Sequence, residues 1–121
     1  MTEKEELCDL QCVPCRGDVP AVTEQEMQTL LPSISDWRVE AHDDMERLER
    51  RFTFKDFAMA LAFTNGVGKM AEEEDHHPEL TTGWGYVSVR WWRHKIGGLH
   101  QNDFIMAART DKLYNDVFIT P

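Results

Sequence analysis

The spacing of apolar residues predicts a helix and two strands in the first half of the chain. The helix is expected over about 23–31, where Thr23 and Glu26 match a capping box, in which each side chain binds a backbone N–H of the other residue. Strands are expected over 37–41 and 48–54, because apolar and polar residues alternate there, most clearly in the second segment. The turn-like residues between the two strands predict a hairpin.

The longest predicted helix runs from about Lys55 to Asp75 and is apolar on two faces. One face is expected to pack on the sheet, and a helix of this kind is often covered a second time by another subunit. The expected core face consists of Phe57, Ala60, Leu61, Thr64, Val67, Gly68 and Ala71, and the second apolar face consists of Met59, Phe63 and Met70.

The C-terminal half begins with a predicted strand over 86–93, which is rich in aromatic and branched residues. Gly97 and Gly98 are expected to turn the chain into a last helix over about 100–110, and 114–119 is interpreted as an edge strand or a tail. The resulting order is α-β-β-α-β-α, with room for one more strand. This order predicts an α+β domain whose antiparallel sheet has its helices on one face.

Composition and charge narrow the classes of function. The chain has 121 residues, which fits one domain with one core. Its 13 lysine and arginine residues against 22 aspartate and glutamate residues give a net charge of −9, which would repel nucleic acid. No apolar run approaches the ~20 residues that span a bilayer, and the acidic N-terminus lacks the apolar stretch of a signal peptide. We therefore expect a cytoplasmic protein with reduced thiols and with neither nucleic acid nor membrane as a partner.

All three cysteines, Cys8, Cys12 and Cys15, lie in residues 1–22, which are expected to form an extension ahead of a domain over 23–121. Their spacing matches the one that holds an iron–sulfur cluster in radical enzymes that use S-adenosylmethionine, but those enzymes need a barrel far longer than this chain. Three interpretations stay open. The thiols are reduced and take no part in chemistry, or they form a zinc site with a ligand from elsewhere, or Cys12 and Cys15 form a redox pair.

The segment from Glu72 to Pro78 reads Glu-Glu-Glu-Asp-His-His-Pro and breaks a local rule. A helix C-terminus carries partial negative charge, so four consecutive carboxylates there are unfavourable unless another group compensates them. His76 and His77 could compensate them as cations, which favours a site of proton transfer at this position. Glu72 is expected on the same helix face as His76, whereas Pro78 pushes His77 out of helical geometry. The alternative is an ordinary solvated surface.

A second cluster, Trp91-Trp92-Arg93-His94-Lys95, lies where the predicted strand meets the glycine turn. Strand alternation puts Trp92 and His94 on the same side if the strand continues that far. Two tryptophans and a histidine at such a place suggest a flat aromatic ligand. The alternative is that the tryptophans belong to the core and that His94 is a solvated turn residue.

These two segments, together with the aromatic Trp84 and with Asp103 after a Gly-Leu turn, resemble the pterin-4a-carbinolamine dehydratase family. The resemblance covers about 25–121. It implies a two-layer αββαββα fold with a four-stranded antiparallel sheet, and therefore a fourth strand that the hydrophobic pattern alone leaves weak.

The resemblance implies acid–base chemistry on a pterin substrate. The family eliminates water from 4a-hydroxytetrahydrobiopterin (pterin-4a-carbinolamine) to give quinonoid dihydropterin, in the recycling of tetrahydrobiopterin for aromatic amino acid hydroxylases. Neither a metal nor an organic cofactor is implied, and a homodimer or homotetramer is expected. Carried over by position, the resemblance implies that His76, His77 and His94 are catalytic, that Asp75, Trp92, Arg93 and Lys95 bind the substrate, and that Glu72, Pro78 and Asp103 support the site.

Within the histidine trio, His76 and His94 are the expected acid and base, and His77 is expected to bind and orient the ring, because two imidazoles in different protonation states can deliver one proton and remove another. Small hydroxyl residues often precede the third histidine in the family, whereas Trp92 and Arg93 precede it here. The pterin side chain that the site accepts therefore stays open.

Two other functions compete with this one. The same fold could serve as a non-catalytic binding module, because the family includes dimerisation partners of transcription factors and relatives that assist the assembly of other enzymes. A metal site built from His76, His77 and His94 is the third candidate, although adjacent histidines that point in different directions make a poor tetrahedral set.

Overall fold

The computed structural model describes residues 21–43, 45–92 and 99–118. Several predictions concern residues outside these ranges. They are the cysteine extension with Cys8, Cys12 and Cys15, the glycine turn at 97–98, and the site residues Arg93, His94 and Lys95.

The described chain folds as three helices and a four-stranded antiparallel sheet, which confirms the predicted αββαββα class. A 3₁₀ turn, Leu31–Ile34, extends the first helix, and a π-helical turn, Tyr114–Phe118, extends the last one. The main elements are α1 (Glu24–Leu30), β1 (Arg38–His42), β2 (Met45–Thr53), α2 (Phe57–Glu74), β3 (Glu79–Gly83), β4 (Tyr86–Trp91) and α3 (Gln101–Leu113).

The strand order is β1-β2-β4-β3, so two hairpins are joined at the centre of the sheet. In the central pairing, Leu48 lies opposite Trp91 and Phe52 lies opposite Val87. The β3–β4 hairpin turns at Gly85, whose φ of +79° is a left-handed conformation that glycine adopts without steric cost. This topology brings the end of β4 close to the end of α2.

Both long helices pack on the same face of the sheet. The ring of Phe63 in α2 lies 4.8 Å from the ring of Phe52, and Asp111 in α3 accepts a hydrogen bond from Arg50 of the same strand face. The core between the layers is formed mainly by Leu48, Phe52, Val87, Val89 and Trp91 of the sheet, Ala60, Phe63, Val67 and Ala71 of α2, and Phe104, Ile105, Ala107 and Ala108 of α3.

The opposite face of the sheet is charged. Its side chains form cross-strand ion pairs, for example between Arg38 and Glu49 at 3.1 Å and between Arg90 and Glu79 at 3.3 Å. Strand alternation explains this division, because successive side chains point to opposite faces of the sheet. Among the described residues, no helix has the length and apolar character needed to cross a bilayer.

The predicted core face of α2 is wrong in part. Phe57 and Leu61 each remain 45% exposed, whereas Phe63, which was predicted for the second apolar face, is completely buried. The buried stripe is Ala60, Phe63, Val67 and Ala71. Two apolar stripes of this helix both follow the helical period, so the period by itself cannot tell which one meets the sheet.

The predicted edge strand or tail at 114–119 is also wrong, because residues 114–118 continue α3 as a π-helical turn. Tyr114 explains the difference. Its ring packs 4.8 Å from that of Phe52, and its hydroxyl donates to the carbonyl of Thr53 at 2.8 Å, so two contacts with β2 hold this helical turn against the sheet.

Candidate active site

The C-terminal end of α2 is set by the backbone of Asp75. This residue has φ 51° and ψ 42°, a left-handed conformation that ends the helix and reverses the chain. The backbone N–H of His76 then donates to the carbonyl of Ala71 at 3.1 Å. The chain therefore turns back over the last helical turn and carries the His76 side chain into the interior.

His76 is completely buried between the sheet and α3. Its Nε2 lies 2.7 Å from Oδ1 of Asp103, which is completely buried as well. The imidazole stacks on the indole of Trp91, with ring centroids 5.5 Å apart and planes within 6° of parallel. The side chain is thus held by two different elements, β4 and α3.

Asp103 owes its position to the start of α3. His100 is the N-cap of this helix, and its Nδ1 accepts a hydrogen bond from the backbone N–H of Asn102 at 3.0 Å. In return, Oδ2 of Asp103 accepts the backbone N–H of His100 at 2.8 Å. This reciprocal cap leaves Oδ1 directed at His76 and places a carboxylate where the helix dipole stabilises negative charge.

His77 occupies a different environment from its neighbour. Its side chain is 50% exposed, and its Nε2 lies 3.4 Å from Oε1 of Glu72. The prediction that Glu72 shares a helix face with His76 is therefore wrong. Because Asp75 ends the helix, the four-residue spacing no longer applies, and the exposed Glu72 lies beside His77.

The two tryptophans at the end of β4 have different neighbours. Trp91 contacts His76, whereas Trp92 lies under the guanidinium of Arg47, which is 4.2 Å from its ring. Arg47 belongs to the charged outer face. The alternative in which the tryptophans belong to the core is correct for Trp91, and Trp92 is partly buried against the same core. A contact between Trp92 and the pterin stays a prediction.

The other predicted site residues are placed as follows. Asp75 is exposed and Pro78 is half-buried next to the histidines, whereas Trp84 lies at the tip of the β3–β4 hairpin and is 73% exposed. Trp84 is thus at the end of the sheet remote from His76. His94 lies outside the described ranges, so the convergence of all three histidines stays a prediction.

Sequence reasoning named Trp91 in its second cluster but did not predict its contact with His76, and it missed His100 altogether. A signal existed for the first, because alternation with the buried Val87 and Val89 places Trp91 on the inner face. For His100 there was little signal, since histidine is not among the preferred N-cap residues.

The site combines two imidazoles that are adjacent in sequence but differ in surroundings. His76 is buried and paired with a carboxylate, and His77 is open to solvent. The site thus offers one imidazole held by a carboxylate and one open to solvent, and histidines are the side chains that most often transfer protons in acid–base chemistry.

Comparison with known sequences relates the chain to one family. The sequence profile of the family described as Pterin 4 alpha carbinolamine dehydratase matches residues 20–113. The chain is also 57% identical, over 103 residues, to a curated protein of Marinobacter nauticus that is provisionally named a pterin-4-alpha-carbinolamine dehydratase. That alignment covers 85% of this chain and 93% of the Marinobacter protein.

Two solved structures have a similar fold. One is the crystal structure of a transcriptional coactivator/pterin dehydratase from Brucella melitensis, with a TM-score of 0.68 and 32% identity over 77% of this chain and 97% of that one. The other is a pterin dehydratase-like protein identified as a RuBisCO assembly factor in the alpha-carboxysome. Its TM-score is 0.55, with 26% identity over 64% of this chain and 88% of that one.

Proposed function

Because the chain belongs to the pterin 4 alpha carbinolamine dehydratase family, we propose that it removes water from 4a-hydroxytetrahydrobiopterin and releases quinonoid dihydropterin. The observation that carries this proposal is the pair formed by His76 and Asp103, an imidazole backed by a buried carboxylate at 2.7 Å. Carboxylate–imidazole pairs of this kind orient a histidine for proton transfer in many enzymes.

The reaction needs one proton delivered and one removed. The C4a–O bond breaks, and the hydroxyl leaves as water after it accepts a proton from an acid. A base takes the proton of N5, and the electron pair of the N5–H bond forms the new C4a=N5 double bond. We assign these two transfers to His76 and His94, with His77 binding and orienting the ring, as two imidazoles in different surroundings can serve both steps.

Substrate binding is assigned to the polar residues around the histidines. The pterin ring presents N–H donors at one edge, and the exposed carboxylate of Asp75 can accept them. Glu72 supports the site through its contact with His77, and Pro78 fixes the chain after the two histidines. Trp92, Arg93 and Lys95 are proposed to line the pterin from the end of β4.

The proposal includes a cytoplasmic homo-oligomer without a metal or an organic cofactor. A dimer or a tetramer is supported by the exposed side chains of Phe57 and Leu61 on α2, since large apolar side chains at adjacent turns of a helix favour a contact with another subunit. The quinonoid product is a substrate for reduction, so we place the protein in the recycling of tetrahydrobiopterin for aromatic amino acid hydroxylases.

The test is a stopped assay with synthetic 4a-hydroxytetrahydropterin. We expect turnover by the intact protein and a loss of ~10²-fold or more in kcat for His76→Ala and for His94→Ala, because proton transfer by a positioned side chain contributes about that much. The exposed Gln28 on α1 supplies the control, since Gln28→Ala should keep full activity. An inactive wild type would overturn the function, and effects of only two- or threefold would overturn the histidine assignment.

A second candidate function is a non-catalytic binding module on the same fold. It is favoured by the complete burial of His76, which is also what a purely structural histidine would show, and by the assembly role of one similar structure. The same assay separates the two functions, because a binding module would leave the dehydration at its spontaneous rate.

A further inference from the structure

We propose that Asp103 is a positioning residue that holds His76 as the Nε2–H tautomer, so that His76 exchanges its proton through Nδ1. The part of this inference that concerns catalysis rests on the proposed dehydratase function. The part that concerns the tautomer rests on geometry alone and can be tested without any assay of activity.

The contact at Nε2 of His76 determines where the imidazole proton lies. This atom lies 2.7 Å from Oδ1 of Asp103, with both side chains completely buried. An ionised carboxylate can only accept hydrogen bonds, so the proton of this bond belongs to the imidazole. In a neutral imidazole with Nε2 protonated, Nδ1 is the atom that carries the lone pair.

The carboxylate of Asp103 is held in place as a hydrogen-bond acceptor. Oδ2 of Asp103 accepts the backbone N–H of His100 at 2.8 Å, at the N-terminus of α3. A carboxylate at this position accepts a backbone N–H and lies at the positive end of the helix dipole, so it has an acceptor's surroundings. The two oxygens of Asp103 are thus divided between two donors, one from the backbone of its own helix and one from His76.

The packing around His76 opposes a flip of its imidazole ring. It stacks on Trp91, and Nε1 of that indole donates to Oγ1 of Thr110 at 3.3 Å. Thr110 is itself fixed, because its hydroxyl donates to the carbonyl of Met106 at 2.6 Å. A flip of the imidazole ring would break the 2.7 Å bond to Asp103, so one helix, α3, fixes both the plane and the direction of His76.

The consequence for the reaction is a defined atom of exchange. With Nε2 committed to the carboxylate, any proton that His76 gives or takes passes through Nδ1. The carboxylate also stabilises the imidazolium that forms during transfer, as it does in other carboxylate–histidine pairs. Asp103 therefore acts on the substrate only through His76.

The tautomer can be read directly from ¹⁵N NMR of the wild-type protein at a pH where His76 is neutral. We expect Nε2 to give the shift of a protonated ring nitrogen and Nδ1 the shift of an unprotonated one. The opposite assignment would overturn the proposal, whatever the protein does in an activity assay.

The Asp103→Asn variant tests the cause. The backbone N–H of His100 still needs an acceptor, so the amide oxygen is expected to face it, and the amide NH₂ then faces Nε2. We expect His76 to change to the Nδ1–H tautomer. For a dehydratase, kcat should fall ~10-fold or more, as for other residues that orient a functional histidine, with KM changed less than about threefold.

Asp111→Asn is the matched control, because Asp111 is another completely buried aspartate on α3, and it accepts hydrogen bonds from Trp37 and Arg50. It should keep the wild-type tautomer and a kcat within about twofold. An unchanged tautomer in Asp103→Asn, or equal losses of kcat in both variants, would overturn the positioning role. An inactive wild type with the Nε2–H tautomer would overturn the proposed function and leave the structural assignment standing.

Discussion

Asp75 has a backbone conformation that costs stability. Its φ of 51° brings the Cβ of an L-residue close to the following carbonyl, a cost of roughly 1–2 kcal/mol that glycine does not have. A glycine is the usual residue at such a helix end. An aspartate at this position, next to His76, is therefore consistent with the proposed role of its carboxylate in binding the substrate.

We predict that Asp75→Gly raises the free energy of unfolding by about 1 kcal/mol, because it relieves the left-handed strain. The same change should raise KM for the pterin, because the proposed acceptor is lost. Urea denaturation and steady-state kinetics on one preparation measure both quantities. Asp75→Asn keeps the side-chain volume and is the control for the loss of volume. An Asp75→Gly variant that is stabilised but has an unchanged KM would show that Asp75 does not bind the substrate.

At this scale the sequence predicted which segments lie close together better than it predicted the contacts between their side chains. The resemblance correctly brought together the segments that hold His76 and Asp103, which lie 2.7 Å apart in the structure. The helix end near Asp75 was predicted, but its left-handed backbone was not, and that conformation decides whether Glu72 contacts His76 or His77. Contacts set by a single backbone angle are not encoded in spacing.

The last helix, α3, is anchored at both ends by buried aspartates. Asp103 at its start binds His76, and Asp111 near its end accepts hydrogen bonds from Nε1 of Trp37 at 2.8 Å and from Arg50 at 2.5 Å. The second anchor ties α3 to β2 and to the segment before β1.

We predict that Asp111→Ala lowers the free energy of unfolding by about 3 kcal/mol, because it leaves the mostly buried guanidinium of Arg50 without its nearest carboxylate. Chemical denaturation measures this loss. The double variant Arg50→Met/Asp111→Leu should recover much of it, since buried ion pairs can often be replaced by packed apolar side chains. A double variant as unstable as Asp111→Ala would show that the lost hydrogen bond to Trp37, rather than the unpaired charge, is the main cost.

Element types were predictable because most elements carry a clear period or a cap. The capping box of Thr23 and Glu26 is present as expected, with bonds of 2.8 and 3.1 Å. The strand β3, Glu79–Gly83, was weak in the pattern because it is short and only half-buried, so its existence followed from the resemblance. The prediction of which face of α2 meets the sheet was wrong in part, because the helix has two apolar stripes with the same period.

On the scale of the whole molecule, the large apolar side chains Phe57, Leu61 and Trp84 are exposed at a distance from His76, within the part of the chain that the structure describes. Phe57 and Leu61 are in the first half of α2, and Trp84 is at the hairpin tip, whose Gly85 carbonyl accepts the backbone N–H of Phe54. His76 is at the other end of both α2 and β4. A strand of six residues spans roughly 20 Å, so the apolar end and the proposed catalytic end are separate surfaces.

We predict that Leu61→Glu shifts the protein from an oligomer to smaller species, because it places a charge in the proposed subunit contact. Sedimentation velocity at several concentrations measures the change. Gln28→Glu adds the same charge at an exposed position of α1 and should leave the mass unchanged. A wild-type protein that sediments as a monomer at all concentrations would contradict the proposed homo-oligomer.

The strand order has a consequence for synthesis on the ribosome. The β1–β2 hairpin can form as soon as it emerges, but the inner edge of β2 pairs only with β4, whose residues follow the whole of α2 and β3 in the chain. Until then the nascent chain presents an unpaired strand edge with Leu48 and Phe52 on its apolar side, which is the kind of surface that aggregates. The slow event in folding is thus expected to be the pairing of β2 with β4. Cellular chaperones would be needed most during the time between translation of β2 and translation of β4.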